Sequence, residues 1–317
     1  MKYSDITLKV LAAKECGIIK SNAQFWNDFN EIEKFETAIS KDSNFDNTII
    51  KLRNELISSD NYEEGIISVY DESFPVINKK VKNKGDKPYL LFYKGNLELL
   101  DDLNNNIAVI GLIDPDKNIA KRESDVVEKL IDNDLVIVSG LAAGCDSIAH
   151  KLCLEMGGKT IAVLPSQLNK IYPAENKKLA EDIVQKGGLL ISEYYKEPKT
   201  KFEAVNRFIQ RDRLQAMFSK AIILVASYRK GEGDSGSRHA MDAARKYEID
   251  RYVIYNNKTD ENNSMFALNK DLLLDKKINS VKVLKSSSIN EIKSLKNNNL
   301  ISDNSYKSEQ LKLLWLE

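Results

Sequence analysis

The stretch VIVSGLAAGCDSIAH, residues 136–150, decides how the chain is read. A run of the buried-strand type passes through a loop punctuated by Gly140 and Gly144 and enters a helix carrying Asp146 at its start. A helix N-terminus leaves about four backbone N–H groups without partners, and its dipole favours a negative ligand. Glycine in the turn lets the backbone approach a bound group that a Cβ would hold off. The layout predicts a phosphate site, and the same turn also serves many α/β folds purely structurally.

Outward from this stretch the pattern repeats. Apolar runs occur at IAVIG (107–111), LVIVSG (135–140), KTIAVLP (159–165), LLISEY (189–194), AIILVAS (221–227) and RYVIYNN (251–257). Helical periodicity fills the gaps, around 118–133, 146–156, 175–186, 203–218 and 236–248. Continuous Val/Ile-rich runs mean strands covered on both faces, and the alternation means parallel βαβ units. The expected fold is an α/β, extended Rossmann-like, doubly wound and mostly parallel sheet, with ligands at the carboxyl ends of its strands.

The flanks differ. Residues 1–60 are rich in Lys, Glu and Asn with apolar residues at helical spacing, such as Ile6, Val10, Leu11, Phe35, Ile39, Leu52 and Leu56, and predict a small helical domain. Between 65 and 95 the short runs IISVY and YLLFYKG, with Pro75 and Pro88, predict an extended connection or edge strands. A Rossmann-type domain is therefore expected over 61–284, with its core at 106–258. It ends in a helix over 265–274 and a short strand over 280–284. The Ser-, Asn- and Lys-rich tail, 285–317, reads as weakly structured apart from a short helix near 310–316.

The 317 residues exceed a usual single domain of about 100–200. With 47 Lys+Arg against 47 Asp+Glu, no global field draws the protein to nucleic acid or lipid, so any such binding needs a local patch. Arginine supplies one candidate, because Arg207, Arg211, Arg213, Arg229, Arg238, Arg245 and Arg251 crowd one stretch. Guanidinium suits bidentate phosphate contact; for any single Arg the alternative is an ion pair with a residue such as Glu203, Asp212 or Asp242. Cys16, Cys145 and Cys153 form neither a disulfide framework nor a zinc motif. No run of 18 apolar residues occurs, so a cytoplasmic protein without membrane contact is expected.

Five loops should meet at the carboxyl edge: 111–117, 139–146, 165–176, 193–200 and 227–237. The last is a second glycine and hydroxyl turn entering a helix. Candidate phosphate contacts on these turns are Gly111, Ser139, Gly140, Gly144, Asp146, Ser235, Gly236, Ser237 and Arg238. Ser235 and Ser237 can equally cap the helix, and Asp146 can equally anchor the loop. Glu193 is either a ligand-orienting group or a buried hydrogen-bond partner. His150 and His239 are the only histidines, and neither sits in a nucleophile elbow. No metal ligand set or cofactor is expected.

These residues resemble the bacterial DNA-processing protein A family, DprA/Smf, over about 65–255. The resemblance rests on DESFP (71–75), YLLFYKGNLELL (89–100), SGLAAGCDSIAH (139–150), GGKTIAVL (157–164), YPAEN (172–176), SEY (192–194), RDR (211–213) and DSGS (234–237). It implies a non-catalytic, commonly homodimeric protein that binds single-stranded DNA and helps load a RecA-type recombinase during natural transformation or recombination. Arg211 and Arg213 would contact phosphate, and Tyr172, Tyr194, Tyr195 and Phe208 are available for base stacking.

This chain departs from the pattern at several places. Ala143 stands where members usually carry a basic residue, and Leu112 and Ile113 follow Gly111 where Ser/Thr-Arg is typical. Gln210 stands where the arginine run usually begins and Asp212 where Asn is usual, while Arg211 and Arg213 remain. Lys170, Lys177, Lys178 and Arg238 are the expected replacements for the lost cations. A second expectation is a pocket turned to a small nucleotide, as a sensor in phage defence or signalling. A third, a nucleotide-processing hydrolase, lacks its P-G-G-x-G-T-x-x-E motif, since GEGDSGSRHA has neither the Glu nor the paired glycines.

Overall fold

Strands flanked by helices on both faces need side chains that are apolar in both directions, and the six runs supply them. The computed structural model describes residues 2–58, 65–233, 236–275 and 281–294. Four helices come first: α1 (Asp5–Glu15), α2 (Asn22–Asp28), α3 (Ile32–Ile39) and α4 (Phe45–Ser58). Strands β1 (Gly65–Ser68) and β2 (Leu90–Gly95) follow. The alternating region runs β3 (Asn106–Ile110), α5 (Lys117–Ile131), β4 (Val136–Ser139), α6 (Cys145–Glu155), β5 (Thr160–Leu164), α7 (Lys177–Gln185), β6 (Leu189–Ser192), α8 (Lys201–Met217), β7 (Ala221–Leu224), α9 (Ser237–Lys246) and β8 (Asp250–Val253). The chain continues through α10 (Asn257–Asp260), α11 (Ala267–Leu274), β9 (Lys282–Val283) and α12 (Ser286–Ser294).

The sheet order is β1-β2-β6-β5-β4-β3-β7-β8-β9. Strands β3 to β9 pair in parallel, while β2 joins β6 antiparallel and β1 joins β2 antiparallel. The fold is the expected doubly wound, mostly parallel sheet. From β3 the chain winds outward through β4, β5 and β6, then returns to place β7 on the other side of β3. The crevice at that reversal is where such sheets bind ligands.

Local chemistry sets the helix starts facing this edge. Asp116 accepts from the Ile119 amide at 2.7 Å to cap α5. Thr200 accepts from the Glu203 amide at 3.1 Å to begin α8, and Glu203 reaches back to the Lys199 amide at 2.8 Å. By contrast α6 and α9 have glycine N-caps, Gly144 and Gly236, with no side-chain cap.

Alternation along β2, β5 and β6 splits the apolar residues between two cores. Leu91, Val163 and Ile191 join the main core with β3, β4, β7, α5 and α9. Leu90, Phe92, Ala162, Leu164 and Leu190 face the other way, onto α7 and onto Leu8, Leu11, Phe25 and Phe35 of the first helices. The N-terminal helices thus share a core with the sheet.

One expectation is corrected. Residues 286–294, expected to be weakly structured, form α12, because Ile289 and Ile292 bury against the main core. The expected helix at 310–316 lies outside the described residues.

Candidate functional site

The turn after β4 is bound chiefly by its own residues. The Gly140 and Ala142 amides donate to Asp146 Oδ2 at 3.1 and 3.2 Å. Asn176 Nδ2 donates to the Leu141 and Ala142 carbonyls at 2.9 and 3.2 Å, and Ser147 Oγ donates to the Ala142 carbonyl at 2.6 Å. Of the two readings open for Asp146, the structure gives the loop anchor. A carboxylate holding two amides would repel phosphate, so Asp146 shapes the turn from beneath. Leu141, at φ 61°, takes a left-handed conformation costing about 1–3 kcal/mol. Its buried side chain and the Asn176 bond hold it there.

Both glycines are required by the protein's own packing. A Cβ on Gly140 would fall 1.3 Å from Arg211 Nη1, and one on Gly144, at φ 70°, would fall 2.4 Å from the Leu112 carbonyl. Gly111 closes the crevice, its carbonyl accepting from Ser237 Oγ at 3.1 Å. The Leu112 carbonyl accepts from the Cys145 amide at 2.9 Å. A Cβ on Gly236 would lie 3.6 Å from Asp212 Oδ2. Gly111, Gly140, Gly144, Asp146, Arg211, Asp212, Gly236 and Ser237 therefore meet at the β3/β7 crevice, with Arg238 half-buried on the first turn of α9. Ser235 lies outside the described residues. The first-turn amides of Asp146 and Ser147 have no acceptor among the described residues, as the N-terminus of α6 requires for an anion site.

The arginines behave differently from the expectation. Arg213 is buried, and its fork meets Glu193 at 2.7 Å on each side while Nε donates to the Asp86 carbonyl at 2.9 Å. That guanidinium is consumed, so its expected direct phosphate contact is corrected to a buried ion pair, and Glu193 is the buried partner. Arg211 is also buried, with Nε 3.1 Å from Asp212 and Nη1 3.9 Å from Asp146 and 3.3 Å from the Val163 carbonyl. It lies under the Gly140 turn between two acids. Burial lifts the Asp212 carboxyl to about 7, with Asp146 adding to the rise against the pull of Arg211. His150 is pushed down to about 3 by burial and by Arg211. Its Nδ1 meets Thr160 Oγ1 at 2.7 Å, and Thr160 donates onward to the Ile137 carbonyl at 2.8 Å, which assigns the proton to Nδ1. The ring is a neutral structural group.

The remaining candidates scatter. Ser139 is buried and donates to the Val109 carbonyl at 2.7 Å, inside the sheet, so its expected ligand contact is corrected to a strand-to-strand bond. Lys170 is exposed and pairs with Glu197 at 2.5 Å. Lys177 and Lys178 are exposed at the start of α7, directly after the clamp residue Asn176, and Lys178 pairs with Asp182 at 2.6 Å. Among the aromatic candidates, Tyr194 lies under Arg207 at 4.2 Å and Tyr195 stacks on Phe92 at 4.9 Å, so both are packed. Tyr172 is 63% exposed and meets Phe208 edge-on at 5.8 Å. Ile113, 58% exposed, sits beside Gly144.

Two residues that fix the loops of this edge are not singled out by the sequence reading. Asn176 was visible only as part of YPAEN, and its clamp on residues 141 and 142 spans 34 or more positions. Asn269 donates to three carbonyls, of Leu224, Val225 and Ile254, and accepts from the Ser227 amide, fixing the loop after β7. A lone Asn in an apolar helix carries no local signal of this.

A doubly wound sheet with two glycine turns entering helices at its switch point defines an extended Rossmann-like protein. The chain belongs to the DNA recombination-mediator protein A family, whose model matches residues 65–276. It is 37% identical over 179 residues to DNA processing protein DprA of Streptococcus pneumoniae, covering 56% of this chain and 60% of that protein. It is 29% identical over 207 residues to protein Smf of Borreliella burgdorferi, covering 65% and 61%. The match thus spans about 60% of the length of these curated relatives. Among solved structures, DNA processing protein A of S. pneumoniae superposes with a TM-score of 0.68 at 27% identity, over 91% of this chain and 97% of that one. The Helicobacter pylori protein, solved for its single-stranded DNA binding mode, gives 0.58 at 26% identity, over 73% and 96%. Among the described residues no helix is long and apolar enough to cross a membrane.

Proposed function

We propose that this chain binds single-stranded DNA along the carboxyl edge of its sheet, without catalytic turnover. In this reading it serves as a homodimeric, cytoplasmic accessory that helps load a RecA-type recombinase in DNA uptake or recombination. The observation that carries the reading is the coincidence of fold and edge. The H. pylori relative that binds single-stranded DNA shares this architecture, and here the crevice offers the uncapped N-terminus of α6 beside a glycine turn. With Arg213 consumed and Arg211 buried, the phosphate contacts fall to the first-turn amides of α6 and to Lys170, Lys177, Lys178 and Arg238. Tyr172 is the exposed ring for a base. The test is fluorescence polarisation of a labelled oligo-dT across a salt series, where the slope counts phosphates at about 0.7 each for a single strand. Absence of binding at micromolar protein in low salt overturns the reading.

A second reading, a small-nucleotide sensor, is favoured by one observation: exposed Ile113 beside Gly144 makes the mouth of the crevice apolar where the family resemblance has a cation. It predicts thermal stabilisation by a nucleotide, about 2.7 kcal/mol at 100 times the dissociation constant.

A further inference from the structure

The β3/β7 crevice presents a charge balance unfavourable to an anion. Arg211 lies between two buried carboxylates, with Nε 3.1 Å from Asp212 Oδ1 and Nη1 3.9 Å from Asp146 Oδ2. A third acid, Glu123 on α5, is fully buried next to the Cys145 thiol and near Asp146. Two ionised carboxylates beside one guanidinium leave net negative charge where a phosphate must enter, and burial strengthens the repulsion. An anion can be accommodated here only if one of the acids gives up its charge.

Geometry singles out Asp212. Asp146 is committed to the turn, its Oδ2 accepting from the Gly140 and Ala142 amides. Asp212 gives Oδ1 to Arg211, while Oδ2 turns toward Gly236 and accepts no hydrogen bond among the described residues. Gly236, the N-cap of α9 at φ 85°, brings no side chain to that oxygen. Around the point where its Cβ would stand, Asp212 Oδ2 at 3.6 Å is the one heavy atom within 4 Å among the described residues, chain neighbours aside. Asp212 thus stands between the starts of α6 and α9, facing Arg211 and Asp146 on one side and Gly236 on the other. A phosphate drawn to either helix start comes within reach of it.

The titratable groups on the packed elements leave the proton to Asp212. On α5, burial and the nearby Asp146 keep Glu123 well above the usual carboxylate range, against the pull of Cys145. On α6, burial and Glu123 push the Cys145 thiol up, and His150 is held at about 3 by burial and Arg211. None of these three changes charge near neutral pH, whereas Asp212 sits at about 7, raised first by burial. The first turn of α9 adds Arg238, always charged, and His239.

We propose that Asp212 is a phosphate-contacting residue of this crevice, entering the complex as the neutral acid and donating from Oδ2 to a phosphate oxygen, so that occupation takes up one proton from solvent. This rests on the single-stranded DNA reading above. The protonated carboxyl leaves Arg211 balanced by Asp146 alone, and its O–H replaces a repulsion by a charge-assisted hydrogen bond. A bound phosphate in turn disfavours the ionised form of Asp212. Affinity and proton uptake are therefore linked: affinity is level below about pH 6 and falls toward tenfold for each pH unit above about 7.

The experiment titrates labelled oligo-dT with the full chain at fixed salt from pH 6 to pH 8.5, a range in which the phosphodiesters keep their charge. Wild-type affinity should fall about thirtyfold across it. Asp212→Asn should bind with little dependence on pH, since the amide keeps a donor and carries no charge. His239→Gln, measured in parallel, should retain the wild-type decline. Should Asp212→Asn impair folding, calorimetry of the wild type at pH 8 in two buffers of different ionisation enthalpy reads the proton directly, and uptake of close to one per bound chain is expected. A wild type that binds equally across the range, a decline that survives in Asp212→Asn, a decline abolished by His239→Gln, or binding with no proton uptake each overturns the assignment of Asp212 while leaving the DNA reading intact. A wild type that binds no strand even at pH 6 overturns the DNA reading itself and this assignment with it.

Discussion

Asp212 puts a second acid beside Arg211 in the crevice. It lies on α8 facing Gly236, the N-cap of α9, 3.1 Å from Arg211 and near Asp146, so the crevice holds one guanidinium between two acids. Its carboxyl sits at about 7 in the folded protein against 3.8 ordinarily. A group whose pKa is raised on folding contributes stability that is complete below the unfolded value and lost as pH rises through the folded one. Wild-type stability should therefore fall between about pH 4 and pH 7. Each pH unit is worth about 1.36 kcal/mol, so the loss is at most about 4 kcal/mol. Asp212→Asn should flatten that decline; denaturant melts of both proteins at pH 5 and pH 8 with equal losses would refute the assignment. Above pH 7 the ionised carboxylate also opposes an incoming phosphate.

Helix α8 shows why a cluster of arginines was hard to read. Its sequence places Arg207, Arg211 and Arg213 along one segment, which suggested a phosphate-contacting face, yet all three are buried in ion pairs. Arg207 meets Glu203 one turn earlier at 2.6 Å, a pairing visible from spacing. The partner of Arg213 is Glu193, in a different loop, and nothing local announces it. Removing one member of a buried pair leaves an uncompensated charge, so Arg213→Ala or Glu193→Ala should each cost about 3–5 kcal/mol. The double variant Arg213→Met, Glu193→Gln should cost less than either single change. Urea midpoints check this; a single variant as stable as wild type would show the pair to be solvated. On the single-stranded DNA reading proposed above, any loss of binding in Arg213→Ala should accordingly track loss of fold.

Across the molecule, the helices α1–α4 and one face of the sheet form a continuous core in which Phe25 stacks on Tyr89 at 4.5 Å. Phe25→Ala should destabilise by about 3–5 kcal/mol, and the unfolding curve should remain a single transition seen equally by a sheet probe and a helix probe. Two separated transitions would mean that the first helices fold independently.

The alternating apolar runs made the sheet legible, because burial on both faces leaves a compositional trace in every strand, from Ile107 to Val253. Helix starts, glycine turns and the family resemblance were legible for a similar reason: each depends on residues within a few positions of one another. Long-range partners left no such trace. That Gly140 must be glycine because Arg211 fills its Cβ space, that Asn176 ties down residues 141 and 142, and that Arg213 turns away from the crevice toward Glu193 depend on side chains from 20 to 71 positions apart. Local sequence thus sets which segments become strands, turns and helices. Which charges remain at the carboxyl edge to meet a ligand is set by burial, since a cation taken from water must find its acid, and only the assembled fold brings the two together.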